Sequence, residues 1–470
     1  MKNLKIQLKP YLTEDYTFQY AEVTMVLEDP RLESGDMLAS MWVMVAGVPG
    51  SMLDGLTASD DAGEFILAES IEKDPTGFDK RFWRVNRASS GDTVLHYRFY
   101  PRDVTGIDRC YPLFDAIQEE NGVLICGVTT LVAVPEGRYQ ICFSWDRSAM
   151  PPDACVASIR GEGNFTFTGT PSDYSFSLYM VGKIRSAASG NGKYNVYWLD
   201  SKLPDQEKVE AQLPGLLDAM CQFFQAPDTR YSVFFRKEPF STSNSGTAFS
   251  GGFAMGYSDA MPLVMDKALN TIAHEIVHNW PALDGLTGEI EWFSEGTAEY
   301  YSMAVPFRAG IVGLDRVAQW LTDKSLNYYN NPHRAMPNSK AAGIFWKDRD
   351  AQRLPYGRGL FYLLELDRKI RERSGGAKTV DELVLHTVAK RRAGEKFTNA
   401  DWENLLEQEL GREAVEDFRQ VMSGKLIEPS ASWLNGAFAF THGHWGDVKN
   451  GFFDDALIWS VKEGCAGVRF

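Results

Sequence analysis

Residues 265–280 read MDKALNTIAHEIVHNW, and the spacing within this stretch decides what kind of chain this is. Leu269, Ile272, Ala273, Ile276, Val277 and Trp280 recur at i, i+3, i+4, i+7, i+8 and i+11, the apolar stripe of a helix that buries one face. His274 and His278 stand four residues apart, so on a helix their imidazoles leave the same side one turn apart and can grip a single ion. Glu275 flanks that ion without being forced to ligate it. The H-E-x-x-H spacing joins a metal that acidifies water to a carboxylate that can take the water's proton as it attacks a carbonyl. The alternative is a helix that happens to carry two of the chain's seven histidines, and a third ligand on a second helix separates the two readings.

The segment EIEWFSEGTAEYYSMAV, residues 289–305, supplies that candidate. Glu295 follows His278 by 17 residues, room for a loop and the start of a returning helix. Glu299 stands one turn later, placed to accept the hydrogen bond from the second nitrogen of a ligating histidine and so fix its tautomer. Two carboxylates on one face of an otherwise apolar helix are costly to bury unless paired or metal-bound. The set His274, His278 and Glu295, with Glu275 beside it, therefore reads as a site for one metal ion.

The rest of the chain is read around this centre. At 470 residues it is too long for one compact core. Its composition, 44% hydrophobic and 24% charged, is that of a soluble globular protein. A formal net charge of −15 without any Lys/Arg stripe argues against a nucleic-acid partner. The opening MKNLKIQLKPYLTEDYTFQY lacks the apolar run of a signal peptide, and no later stretch has the length of a membrane span, so a cytoplasmic protein without a membrane partner is expected. The six cysteines include no C-x-x-C pair and read as reduced, mostly buried thiols. The sequence does not indicate an oligomeric state.

Three regions emerge, and together they predict a multidomain α+β fold. Residues 1–185 read as an antiparallel β-sandwich, with Leu95, Tyr97 and Phe99 on one face of one strand and Tyr139, Ile141, Phe143 and Trp145 on one face of another. His96, on the polar face of its strand, reads as a surface residue. RSAASGNGK, residues 185–193, is small and polar enough for a linker or long loop. Residues 190–310 mix strands (YNVYWLD, YSVFFRK) with helices, one of which carries Pro214. Residues 311–470 read as a mainly helical domain, with apolar residues at helical spacing in GLDRVAQWLTDKSLNYY, GRGLFYLLELDRKIRERSGG, TVDELVLHTVAKRRAGE and NADWENLLEQELG.

HEIVHNW followed by WFSEGTAEYY resembles the gluzincin metallopeptidases, most of all the glycyl aminopeptidase family, relatives of the aminopeptidase N and leukotriene A4 hydrolase group. LPYGRGLFYLLELDRKIRERSGG adds to the likeness, which spans about residues 190–430. The resemblance implies a thermolysin-like catalytic domain, a peptide substrate, zinc on His274, His278 and Glu295, and Glu275 as general base. It also implies that Tyr356 donates a hydrogen bond to the oxyanion of the tetrahedral intermediate. On its own residues Tyr356 reads first as an interfacial tyrosine after Pro355, and the family pattern reverses that reading.

Two departures from the family pattern stand out. The family's glycine-rich edge strand carries a glutamate for the substrate's free amine, whereas the stretch taken to match it, Gly251, Gly252, Phe253, Ala254 and Met255, has Ala254 there. The expectation is that Gly251–Ala254 pairs with the substrate backbone. Asp259, Glu289 or Glu291 would have to replace the lost anion, or the enzyme would act as an endopeptidase. Hydrolysis of a non-peptide electrophile, and a silent peptide-binding protein, are further alternatives. The second departure is a tail, residues 435–470, too short for the PDZ domain that many family members carry, with His442 and His444 read as surface residues.

Overall fold

The computed structural model describes residues 2–45, 47–50, 53–73, 78–107, 112–188, 193–240, 246–286, 288–345, 347–447, 451–465 and 467–470. The chain divides into two compact units, one of Met1–Pro214 and Asp228–Ala268, the other of Gly215–Pro227 and Leu269–Phe470. Among the described residues no helix is long and apolar enough to cross a membrane.

The first unit begins as a β-sandwich. A seven-stranded sheet holds Lys2–Leu12, Phe18–Leu27, Thr93–Phe99 and Tyr139–Trp145 side by side with their neighbours, and a five-stranded antiparallel sheet holds Gly122–Cys126 and Leu178–Gly182. Their inward faces share one core, in which Leu4, Ile6, Tyr97 and Ile141 meet Val123, Ile125, Tyr179 and Val181. Leu95, Tyr97 and Phe99 are fully buried and His96 is exposed, as the alternation predicts. The sandwich is antiparallel except that Lys2–Leu12 pairs in parallel with Tyr139–Trp145.

A second five-stranded sheet follows, ordered Arg185–Ala188, Tyr194–Trp198, Tyr231–Lys237, Gly252–Tyr257, Gly246–Phe249. Its three central strands are parallel, and the helix Gln206–Phe223 connects the first two of them. The stretch expected to be a linker begins as the edge strand Arg185–Ala188, while residues 189–192 lie outside the described residues. Cys142 and Cys155 are exposed rather than buried, and Cys110 lies outside the described residues.

Buried charges tie the sandwich to this sheet. Arg236, fully buried, donates to Asp115 Oδ1 and Glu238 Oε1, both at 2.6 Å, and Arg102 reaches Asp115 Oδ2 at 2.8 Å. Glu119 Oε2 accepts the Lys237 backbone N–H at 2.8 Å. Burial pushes the Glu119 carboxyl up to about 8, against the opposing pull of that N–H and of Arg236.

The second unit is built on helices at Glu291–Arg308, Leu314–Tyr329, Arg349–Ser374, Val380–Arg392, Asn399–Leu410 and Arg412–Met422. Local chemistry sets their ends. Asp348 caps the longest helix by accepting from Asp350 N at 2.9 Å and Ala351 N at 3.1 Å, and Gly375, with φ 63°, closes it in the left-handed conformation. Thr379 and Thr398 start the next two helices with capping boxes. The region expected to be mainly helical carries the last five of these helices and finishes in a β-hairpin, Phe438–Asp447 paired with Gly451–Val461.

Glycines set the approach of the helices that matter most. Glu291–Arg308 crosses Arg349–Ser374 where Gly296 faces Gly359, and a Cβ on Gly296 would lie 2.5 Å from Gly359 Cα. A Cβ on Gly357 would lie 2.5 Å from Tyr328 Cβ. The Tyr-Gly-Arg-Gly run at 356–359 is thus shaped by two neighbouring helices, one at each glycine.

Two outcomes test this account. Gly359→Ala puts a methyl group against backbone that has no rotamer to give way, so it is expected to lower stability by about 3 kcal/mol, read from urea unfolding. Glu119 has a raised pKa in the folded state, so its contribution is full below about 4.5, its usual value, and is lost as pH rises through about 8. Glu119→Gln is accordingly expected to shrink the gap between the urea midpoints at pH 5 and pH 8.

Candidate active site

The stripe on Met265–Val277 is buried as its periodicity predicts, with Ile272, Ala273, Ile276 and Val277 at zero exposure. The α-helix ends at Val277, short of the expected Trp280, and the turn tightens: Asn279 N bonds Ile276 O at 3.2 Å and Trp280 N bonds Val277 O at 3.0 Å. His278 therefore sits just past the helix end and still lies beside His274, their ring centroids 4.8 Å apart. Glu295 and Glu299 project from the first turns of Glu291–Arg308.

Three ligand atoms converge. His274 Nε2 lies 3.2 Å from Glu295 Oε2 and 3.2 Å from His278 Nε2, and His278 Nε2 lies 3.5 Å from Glu295 Oε2. The opposite nitrogen of His274, Nδ1, lies 3.1 Å from Glu299 Oε1. With Nδ1 turned to that carboxylate, Nε2 is the nitrogen that faces Glu295 and His278, the orientation a metal-ligating imidazole needs. The corners of a tetrahedron whose ligands lie about 2.0–2.1 Å from its centre are about 3.3–3.4 Å apart, which is the spacing of zinc ligands. The three residues fit that ion in donor type and in mutual distance.

The surrounding electrostatics follow from burial and from these neighbours. Burial pushes the Glu295 carboxyl up, but the imidazoles of His278 and His274 outweigh it and hold Glu295 well below the usual carboxylate range. Glu275, half-buried, is pushed up by desolvation, with the imidazoles opposing and Glu295 reinforcing the rise. Tyr356, on the second turn of Arg349–Ser374, lays its ring parallel to His274 at a centroid distance of 5.5 Å and an angle of 5°.

Lys324 is a member of the site that the motif does not reveal. Its ammonium pairs with Glu299 Oε2 and donates to Asn270 Oδ1 at 2.9 Å, and Asn270 Nδ2 donates to Ser302 Oγ at 2.9 Å. Glu299 is thereby held between the lysine and His274. The signal was present in sequence: Lys324 falls on the apolar stripe of its helix with Val317, Trp320 and Leu321, and a buried lysine requires a partner.

His274, His278, Glu295, Glu299 and Tyr356 are thus brought together, with Glu275 within electrostatic reach of both histidines and of Glu295. Gly251–Ala254 belong to the other unit, and their strand, Gly252–Tyr257, is paired on both sides, by Tyr231–Lys237 and by Gly246–Phe249. Its backbone has no free edge for a substrate, contrary to the expectation, and Phe253 and Ala254 are fully buried. The glycines have structural work: Gly251 turns the chain at φ 80°, and a Cβ on Gly252 would lie 2.5 Å from Ile159 Cγ2. Among the proposed replacements for the amine-binding acid, Asp259 pairs with Lys237 at 2.9 Å, Glu291 accepts from Gly288 N, and Glu289 is exposed. His442 and His444 are exposed on the terminal hairpin beside Asp455 and Asp454.

No family model and no curated protein matches the chain. Solved structures match nearly all of it. An aminopeptidase N family protein from Idiomarina loihiensis is 14% identical with a TM-score of 0.70, over 94% of this chain and 79% of that one. The chain shares its fold. An M1 zinc metallopeptidase mutant from Deinococcus radiodurans, bound to a Tyr-Ser-Ala substrate, is 15% identical with a TM-score of 0.55 over 91% and 94%. Leukotriene A4 hydrolase from Saccharomyces cerevisiae is 14% identical with a TM-score of 0.54 over 93% and 69%.

If Lys324 holds Glu299 against His274, Lys324→Met is expected to weaken zinc binding about ten- to a hundredfold in a chelator competition. Loss of a mere repelling cation would instead strengthen it, so the direction of the change decides between the two roles.

Proposed function

We propose that the chain is a zinc-dependent peptidase with aminopeptidase-like architecture, in which His274, His278 and Glu295 hold one zinc ion. The observation that carries this reading is the triangle of ligand atoms at 3.2, 3.2 and 3.5 Å, with Glu299 on the outer nitrogen of His274. Zinc, when bound, polarises the scissile carbonyl and lowers the pKa of water.

The chain's own groups do the rest. Glu275 accepts the proton of the attacking water and returns it to the leaving amine as the C–N bond breaks. Desolvation, which raises its pKa, makes it a stronger base than an exposed glutamate. Tyr356 donates its phenolic hydrogen bond to the oxygen on which negative charge develops, an interaction that is strongest in the transition state. The ring's parallel stacking on His274 supports that role by limiting its swing.

Endopeptidase action is the second reading. It is favoured by the engagement of Asp259 with Lys237 and of Glu291 with Gly288 N, which leaves both acids less available to a substrate amine. One experiment addresses both. Purified protein is expected to contain about one zinc per chain by mass spectrometry. Glu275→Gln is expected to keep the metal and lose at least about a thousandfold in kcat on a peptide panel. Peptides with free and acetylated N-termini then distinguish the two modes, and zinc without any Glu275-dependent cleavage would overturn the peptidase reading.

A further inference from the structure

Arg349, Arg353 and Tyr356 lie at i, i+4 and i+7 on the longest helix, along one stripe of its surface. This stripe keeps solvent exposure, with Arg349 exposed and Gln352, Arg353 and Tyr356 half-buried, whereas Ala351, Leu354 and Pro355 are buried. It leads from solvent to the phenol stacked on His274.

Arg353 differs from its peers. The other buried or half-buried arginines of this unit all donate to an acceptor: Arg308 to Asp381, Arg316 to Gln319, Arg358 to Asn338, Arg368 to Glu365 and Arg371 to Asp367. Among the described residues Arg353 has no hydrogen bond and no ion pair, and neither has Arg349. Asp350 acts on Arg353 only at longer range, and Arg349 adds a second positive charge beside it. Taking a guanidinium partly out of water next to another cation is unfavourable unless an anion completes it.

Resting on the peptidase reading above, we infer that Arg353, with Arg349 behind it, binds a substrate carboxylate. The helix rises about 1.5 Å per residue, so Arg353 stands about 4.5 Å and Arg349 about 10 Å along the axis from Tyr356. An extended peptide advances about 3.4 Å per residue, which puts the carboxylate within about three residues of the scissile bond. An acidic side chain and the C-terminal carboxylate of a short peptide share this chemistry. A guanidinium takes either as a forked pair.

The test compares peptides that differ only in Glu against Gln at each position near the scissile bond, and in C-terminal acid against amide. Wild type is expected to favour the carboxylate member of at least one pair by roughly ten- to a hundredfold in kcat/KM, with the preference shrinking as salt is added. Arg353→Gln is expected to bring that ratio close to one, and Arg349→Gln to reduce it less. The pair that responds identifies the source of the carboxylate. Equal cleavage of both members by wild type, or a preference that survives Arg353→Gln, overturns the inference. Binding of the same pairs to Glu275→Gln, followed by fluorescence anisotropy, separates the two readings. Carboxylate-selective binding without cleavage by wild type would sink the peptidase reading and leave the arginine site standing, whereas cleavage without selectivity would do the reverse.

Discussion

His274 Nε2 and Glu295 Oε2 lie 3.2 Å apart with His278 Nε2 beside both, three donor atoms converging at the spacing of one ion's ligands. Much of the second unit is arranged to hold that triangle. The apolar stripe of Met265–Val277 is buried, so the histidine helix has one seating. The Gly296–Gly359 contact lets the helix of Glu295 and the helix of Tyr356 approach until backbone meets backbone, a distance that any side chain would increase. Asp348 and Gly375 fix where the Tyr356 helix begins and ends. Converging polar groups of this kind are destabilising by themselves, and metal binding is coupled to folding wherever a site is built this way.

Part of this was legible from spacing alone. Two histidines four apart, a glutamate 17 residues later and another one turn beyond are local facts of helical geometry, and the helices carrying them form from local stripes and caps. Alternation revealed the sandwich strands for the same reason, since Leu95, Tyr97 and Phe99 need only a period of two to share a face. What was not legible depends on partners distant in sequence. The parallel pairing of Lys2–Leu12 with Tyr139–Trp145 leaves no mark in either strand, and nothing in the Gly251–Gly252 stretch says that strands will flank it on both sides. The terminal hairpin leaves a mark in sequence that helical spacing does not explain, two aromatic-rich runs, Phe438–Asp447 and Gly451–Val461, close enough in the chain to pair.

The buried charges of the two units obey the same rule with different results. In the first unit Arg236 lies between Asp115 and Glu238, and Arg102 completes Asp115, so cations and carboxylates interleave. In the second, Lys324 and His274 share Glu299, which converts a costly buried lysine into a restraint on an imidazole of the candidate metal site. Placing Lys324 on an apolar stripe therefore has a cause that packing alone does not supply. Arg353 is the exception, half-buried and without an acceptor among the described residues, one turn from Tyr356, in a chain whose net charge of −15 offers acids in excess. An unmatched cation in such a chain is not for want of carboxylates; it stands on the helix stripe that carries Tyr356, where a bound carboxylate would complete it.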